Sequence, residues 1–199
     1  GALMIRKLLL AEAIAVVIIF LLSGCASTTV TMTPQPPTSL CQAASDRASA
    51  SVLWAPRWRP NQKDVALREA AAQQGISRFF ETSACFAHTE VRRVSLESAG
   101  QQEQVQRLAA SAEHQPDRVL VIVVRELGPI VKLLSSAALV EGGTEVVLDV
   151  SYYGAHGSGP ASQYTVHWQN AGPGVVKGVA TLPTDMEAAL ISSLKPSTR

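Results

Sequence analysis

Within eight residues the chain places a carboxylate, a hydroxyl and an imidazole: Asp149, Ser151 and His156, in "DVSYYGAH". These are the parts of an activated serine nucleophile, in which the imidazole takes the hydroxyl proton and the carboxylate orients the imidazole. The spacing argues against that use. Strand alternation puts Asp149 and Ser151 on one face, but no Gly-x-Ser-x-Gly turn presents a serine to a substrate. The four histidines, His88, His114, His156 and His167, are scattered. None belongs to an HExxH motif or an i, i+4 pair of metal-site character. A lone His167 on the open side of a strand reads as solvated. The glycines of "GAHGSGP" lack the Gly-Lys-Ser/Thr that a phosphate cradle requires, so they read as a flexible connection. Glu141 and Glu145 flank Gly142-Gly143, read as a turn, which does not aim two carboxylates at one substrate atom. No catalytic residue, metal ligand or cofactor is expected, and the chain reads as a non-enzyme.

Cysteine is the other residue type able to do chemistry, and there are three: Cys25, Cys41 and Cys85. Cys25 stands in "FLLSGCAS". Upstream, Met4 is followed by the basic pair Arg6-Lys7 and by an apolar run from Leu8 to Leu22, broken by Glu12. A basic start, an apolar segment and small residues at its exit form the layout of a secretory leader. A bilayer span needs about 20 apolar residues; this run is shorter and carries a carboxylate. Leu22-Ser23-Gly24-Cys25 resembles the lipobox of bacterial lipoproteins. That resemblance implies cleavage before Cys25, a diacylglycerol on its sulfur and an acyl chain on its new amino group. Ala26-Ser27 stand where the family's inner-membrane retention signal would place an aspartate, which implies sorting to the outer membrane. One acyl chain binds marginally, while two or more anchor stably. The alternative is an unprocessed, buried Cys25. Cleavage would divide the chain into a signal peptide (1–24), a lipidated Ser/Thr/Pro-rich tether (25–48) and a periplasmic domain (49–199).

The tether reading rests on "TTVTMTPQPPTSL", whose Pro34, Pro36 and Pro37 favour an extended chain with a reach of roughly 45 Å up to Leu40. In the oxidising periplasm the remaining pair, Cys41 and Cys85, is a disulfide candidate. Two unpaired thiols are the alternative. Loss of Arg6, Lys7 and Glu12 with the leader takes 17 basic and 16 acidic residues to 15 of each. A near-neutral domain offers no basic face for nucleic acid.

The elements that would position these residues follow from periodicity. Ser51 to Pro56 reads as a strand. Asp64 can cap a helix through Val65, Ala72, Ile76, Phe79 and Phe80, which Gly75 kinks or divides. Thr89 to Val94 reads as a second strand, and a helix follows with Val105, Leu108, Ala109 and Ala112 on one face. Val119 to Val124 is apolar at every position, a strand covered on both faces, continuing through Ile130 to Leu134. "TEVVLDVSY" sets Val146, Leu148, Val150 and Tyr152 on one side, and "QYTVHW" alternates likewise. Thr184 and Glu187 form a capping box for a final helix lined by Met186, Leu190 and Leu194. The order β-α-β-α-β-β-β-α predicts an α+β fold, with helices packed on a single mixed sheet of about five strands. This order resembles the periplasmic domain shared by the TolB N-terminal region, curli-secretion-type lipoproteins and the small lipoproteins of polysaccharide export. The resemblance covers about Ala48 to Lys195. The first strand departs from it, "VLWAPRWRP" replacing the usual Leu-Pro-Phe-like ending, and no functional residue is carried over.

Two segments are candidate contact surfaces. "WAPRWRP" gathers Trp54, Arg57, Trp58 and Arg59, residue types that dominate interface energetics; the alternative is a core Trp54 with solvated arginines. "KLLSSAALVEGG" places Leu133, Leu134, Leu139 and Val140 at a strand end and loop, an apolar patch to be buried against a partner or lipid surface; the alternative is a short helix packed on its own domain. The expectation is a lipid-anchored protein on the periplasmic face of the outer membrane, acting as a non-enzymatic assembly or accessory component of an envelope export or secretion system. Its partners would be the membrane, envelope proteins and further copies of itself. A lipid- or solute-binding module and a hydrolase with an unrecognised site are the competing classes.

Overall fold

The computed structural model describes residues 25–43, 47–134 and 139–196. The leader, residues 1–24, lies outside them. Among the described residues six strands form one mixed sheet: β1 (Ser27–Thr33), β2 (Ser49–Pro56), β3 (His88–Arg93), β4 (Arg118–Leu134), β5 (Leu139–Tyr153) and β6 (Ser162–Pro173), in spatial order β1-β6-β5-β4-β2-β3. Four α-helices join them: α1 (Leu40–Ala43), α2 (Val65–Ser83), α3 (Gln101–Ala110) and α4 (Leu182–Leu194). β2 pairs parallel with β3 and β4, and the other pairings are antiparallel. The fold is α+β, with one strand more than the sequence pattern suggests.

That extra strand is β1, and it corrects the tether. Ser27–Thr33 pairs in register with β6 from Ser27↔Ala171 to Thr33↔Thr165. The Thr-x-Thr-x-Thr alternation carries it: Val30 and Met32 turn to the helix-covered side beside Trp168 and Val166, while Thr29, Thr31 and Thr33 join the open side. Leu40 in α1 is buried, and Cys41 is disulfide-bonded to Cys85 across a Cα–Cα distance of 4.7 Å. The sheet therefore begins two residues after Cys25, and among the described residues Ser27–Thr33 is an edge strand and not part of an extended spacer.

β4 is covered on both faces, as its unbroken apolar run requires. Leu120, Ile122 and Val124 face a core shared with Trp54, Phe79, Met186 and Leu190; Val119, Val121 and Val123 face a smaller core with Val105 and Ala109 of α3. Helices α2 and α4 thus cover one face and α3 part of the other. Three local expectations change. Gly75 does not divide α2, which runs unbroken; it lies where α4 crosses, with Met186 and the Pro183 carbonyl filling the space a side chain would need. Gly142 and Gly143 are not a turn: both sit inside β5, paired with Val131 and Ile130 on one side and Gly172 and Ala171 on the other. Missing side chains there let the Val175 and Asn170 carbonyls approach the strand. Thr184 and Glu187 are not a capping box, because α4 starts earlier, at Leu182, with Pro183 in its first turn. Its first-turn carboxylate is Asp185, which accepts from Thr144 Oγ1 (2.6 Å), Lys177 Nζ (2.9 Å) and Thr181 Oγ1 (3.0 Å). Asp64 precedes α2 as expected, but makes no side-chain cap.

Candidate functional site

The face of β5 and β6 turned away from α2 and α4 is polar and only partly covered. Strand alternation puts Glu145, Val147, Asp149 and Ser151 there from β5, and Gln163, Thr165, His167 and Gln169 from β6. Asp149 Oδ1 accepts from Thr165 Oγ1 at 2.8 Å and from Arg125 Nη1 at 3.4 Å. His167 Nε2 lies 2.5 Å from Glu145 Oε1, and Gln169 Nε2 donates to the same oxygen at 3.2 Å. Ser151 Oγ accepts from Gln163 Nε2 at 3.3 Å. The serine is therefore hydrogen-bonded to an amide, not to an imidazole. His156 sits in the exposed β5–β6 connection at φ 57°, so the three residues that suggested a nucleophile stand apart in role. Among the described residues no group of three His, Cys, Asp or Glu side chains is placed to hold a metal ion.

The "WAPRWRP" segment borders this face. A β-bulge between Val124 and Glu126 shifts the register of β4 against β5 and makes Arg125 the extra residue. β2 ends beside the bulge, where the Arg57 N–H donates to the Val124 carbonyl at 2.8 Å. Arg57, Trp58, Arg59, Arg125, Glu126, Glu145 and Val147 line a shallow cleft of about 420 Å³. Glu126 is the pivot: it pairs with exposed Arg59 at 2.8 Å and with buried Arg68 at 3.1 Å. Arg68 also donates through Nε to the Lys63 carbonyl at 2.8 Å and through Nη1 to the Leu127 carbonyl at 2.5 Å. The loop after β2 is thereby clamped to the bulge. An adjoining cleft of about 340 Å³, holding Arg57, Gln101, Asp149, Ser151, Gln163 and Thr165, continues along the sheet.

Trp54 leaves the contact surface. It is fully buried, its Nε1 donates to Gln73 Oε1 at 2.6 Å, and Arg93 lies over its ring at 5.9 Å. An apolar strand covered on both sides has no room to expose a tryptophan. Trp58 is half-buried, donating to Glu69 Oε1 at 3.2 Å, while Arg57 and Arg59 are exposed. What this cleft can do is bind polar or charged groups: guanidiniums offer paired donors, and the neighbouring carboxylates offer acceptors.

Cys25 is an exposed free thiol beside Gly172 of β6, which pairs with Gly142, three residues along β5 from Glu145 of the cleft. The Cys25 carbonyl packs against Gly172 so closely that a side chain there would not fit. Val140 of β5 is 38% exposed. The side chains of Leu133, Leu134 and Leu139 lie outside the described residues, although β4 runs to Leu134 and β5 starts at Leu139 as an antiparallel pair. The segment read as a strand end and loop is thus mostly strand.

Sequence reasoning missed Arg125, the Glu145–His167 pair and Val176. Alternation within β5 and β6 places the pair on one face, and Val176 stands out as an apolar residue inside "GPGVVKG". Arg125 had no signal, because a bulge is set by pairing.

No protein-family model and no curated protein matches this chain. Among solved structures it is similar to a PelC dodecamer from Paraburkholderia phytofirmans at 13% identity and a TM-score of 0.45, over 86% of this chain and 100% of that one. A substituted form of that PelC dodecamer aligns at 12% identity and 0.42, over 85% and 100%. A putative neuraminyllactose-binding hemagglutinin homolog from Helicobacter pylori aligns at 11% and 0.36, over 71% and 79%. All three fall below the similarity at which a shared function follows.

Proposed function

We propose that this protein is a lipoprotein held by Cys25 on the periplasmic face of the bacterial outer membrane, serving as a non-enzymatic accessory or assembly component of an envelope export or secretion system. The observation that supports it most is the position of Cys25. An exposed cysteine follows Leu22-Ser23-Gly24 and leads directly into the edge strand of the sheet. Acylation there would fix the domain to a bilayer with no further segment. The Cys41–Cys85 disulfide suits an oxidising compartment. The open polar face, with exposed Arg57 and Arg59 beside Arg125 and Glu145, is the surface offered to an envelope partner or to another copy.

The test is a photo-reactive residue at Arg57 in cells making the full chain, with one at Thr82, exposed near the C-terminal end of α2, as control. The expected outcome is a membrane-fraction adduct with an envelope protein or with the chain itself, from Arg57 and not from Thr82. A soluble protein that forms no adduct contradicts the proposal. A second reading, binding of a small apolar ligand, draws on one feature. A cavity of about 260 Å³ lies between Pro36–Leu40 and Tyr152/Tyr164, and the buried Tyr164 hydroxyl has no protein partner. Mass spectrometry of the native protein released from membranes would reveal a retained ligand.

A further inference from the structure

We infer that the end of the sheet beside Cys25, comprising the paired ends of β4 and β5 and the β6–α4 turn, docks into the headgroup–acyl boundary of the bilayer; this rests on the reading of Cys25 as the lipid anchor. The register fixes the geometry. Gly172, against which Cys25 packs, pairs with Gly142, and Gly142 pairs with Val131. Ser27 pairs with Ala171, so Ala26 falls level with Gly172 and Cys25 one residue further, level with Pro173, Glu141 and Lys132. With neighbouring strands about 4.8 Å apart, that level reaches β4 about 15 Å across the sheet. Beyond that level β4 and β5 continue through Leu133↔Val140 and Leu134↔Leu139. At about 3.3 Å per residue this carries the strands roughly 7 Å past the anchor.

Cys25 has no slack to compensate. Ser27 already pairs with Ala171, so two residues spanning at most about 7 Å separate the acylated cysteine from the sheet. A bilayer that holds the acyl chains of Cys25 therefore meets the paired ends of β4 and β5.

Three exposed apolar side chains stand at this end. Val131 is 72% exposed, Val176 91% and Val140 38%. Val176 belongs to the same corner: the Gly174 N–H donates to the Val140 carbonyl at 2.9 Å, and the Val175 carbonyl packs on Gly142. Lys132 and Glu141 pair across β4 and β5, and Lys177 is held by Asp185 at 2.9 Å. Exposed valines grouped around a lipid anchor give a second membrane contact, which sets the orientation of a domain that the acyl chains already hold.

The experiment uses the full chain, extracted from membranes and reconstituted into phosphatidylethanolamine/phosphatidylglycerol vesicles, with the acylation of Cys25 checked by mass. Val131→Cys and Val176→Cys each carry an environment-sensitive fluorophore, and Gln163→Cys, exposed near the far end of β6, is the control. Both valine sites are exposed, so the substitutions spare the fold. The expected result is quenching by lipid-borne quenchers at least threefold stronger at Val131 and Val176 than at Gln163. Equal quenching at all three sites, with Cys25 acylated, overturns this inference and leaves the anchoring reading intact. Labels shielded from iodide yet untouched by lipid quenchers also overturn it, showing that protein covers the corner. A Cys25 without lipid overturns both.

Discussion

Replacing Gly75 by alanine tests the packing of α2 against α4, and two effects of opposite sign compete. In an exposed helix interior the change stabilises by about 0.8–1 kcal/mol, because glycine costs more backbone entropy. At Gly75 a Cβ would stand 2.6 Å from Met186 Cβ, 2.7 Å from Met186 Cγ and 2.7 Å from the Pro183 carbonyl oxygen. Carbon atoms in good contact are about 3.5–4.0 Å apart, so α4 must retreat by about 1 Å. Trimming Met186 to alanine gives no relief, since its Cβ and a backbone oxygen are the obstacles. Overpacking of this kind costs about 1–3 kcal/mol. The penalty wins, and Gly75→Ala is expected to destabilise by about 1–2 kcal/mol net. Gly178→Ala is the control: its surroundings are open and its φ of −119° suits any residue, so it should stabilise by about 0.4–1 kcal/mol. The assay is urea unfolding followed by the fluorescence of buried Trp54 and Trp168, in a Cys25→Ser background. A Gly75→Ala chain as stable as the parent, or more so, would refute the close crossing and restore Gly75 as a helix break.

Other consequences are simpler. Cys41→Ser with Cys85→Ser opens a loop of 44 residues' separation that contains β2 and α2. The chain-entropy relation gives a loss of about 4 kcal/mol, read as a fall in thermal midpoint of roughly 8–16 °C and reproduced by reductant on the parent. Arg68→Ala leaves Leu127 and Glu126 without their buried donor; destabilisation of about 3–5 kcal/mol is expected, against a small effect for exposed Arg57→Ala, both by urea unfolding. Burial holds the Tyr164 phenol above its ordinary pKa of 10.0. The folded state keeps the neutral phenol while the unfolded state ionises, so this stability is intact below pH 10 and falls as pH rises beyond it. Tyr164→Phe should flatten the decline in stability measured between pH 9 and 11.

What the sequence made legible is where one physical signal dominates. The unbroken apolar run Val119–Val124 can only be a strand covered twice, and Met186, Leu190 and Leu194 can only be the buried stripe of a helix. β1 was hidden because its pairing with β6 buries little: Val30 remains 39% exposed and the other strand face is threonine. Prolines just beyond it then made the whole segment read as extended tether. Gly142-Gly143 misled for a related reason. Glycine marks a turn in a local reading, but here it serves close approach of the Val175 and Asn170 carbonyls, which no local pattern encodes. The arginines of "WAPRWRP" were visible as a group; their joining with Arg125, Glu126 and Glu145 depends on a bulge and on strands far apart in sequence.

The central claim is that Cys25 is where a membrane-held protein begins, with the sheet starting directly behind it. The direct measurement is the mass of the N-terminal peptide from the full chain extracted from bacterial membranes. The account predicts a peptide starting at Cys25 and carrying a thioether-linked diacylglycerol and an amide-linked acyl chain. A peptide that still contains Arg6 and Lys7, or one that carries Cys25 as a free thiol, would contradict it.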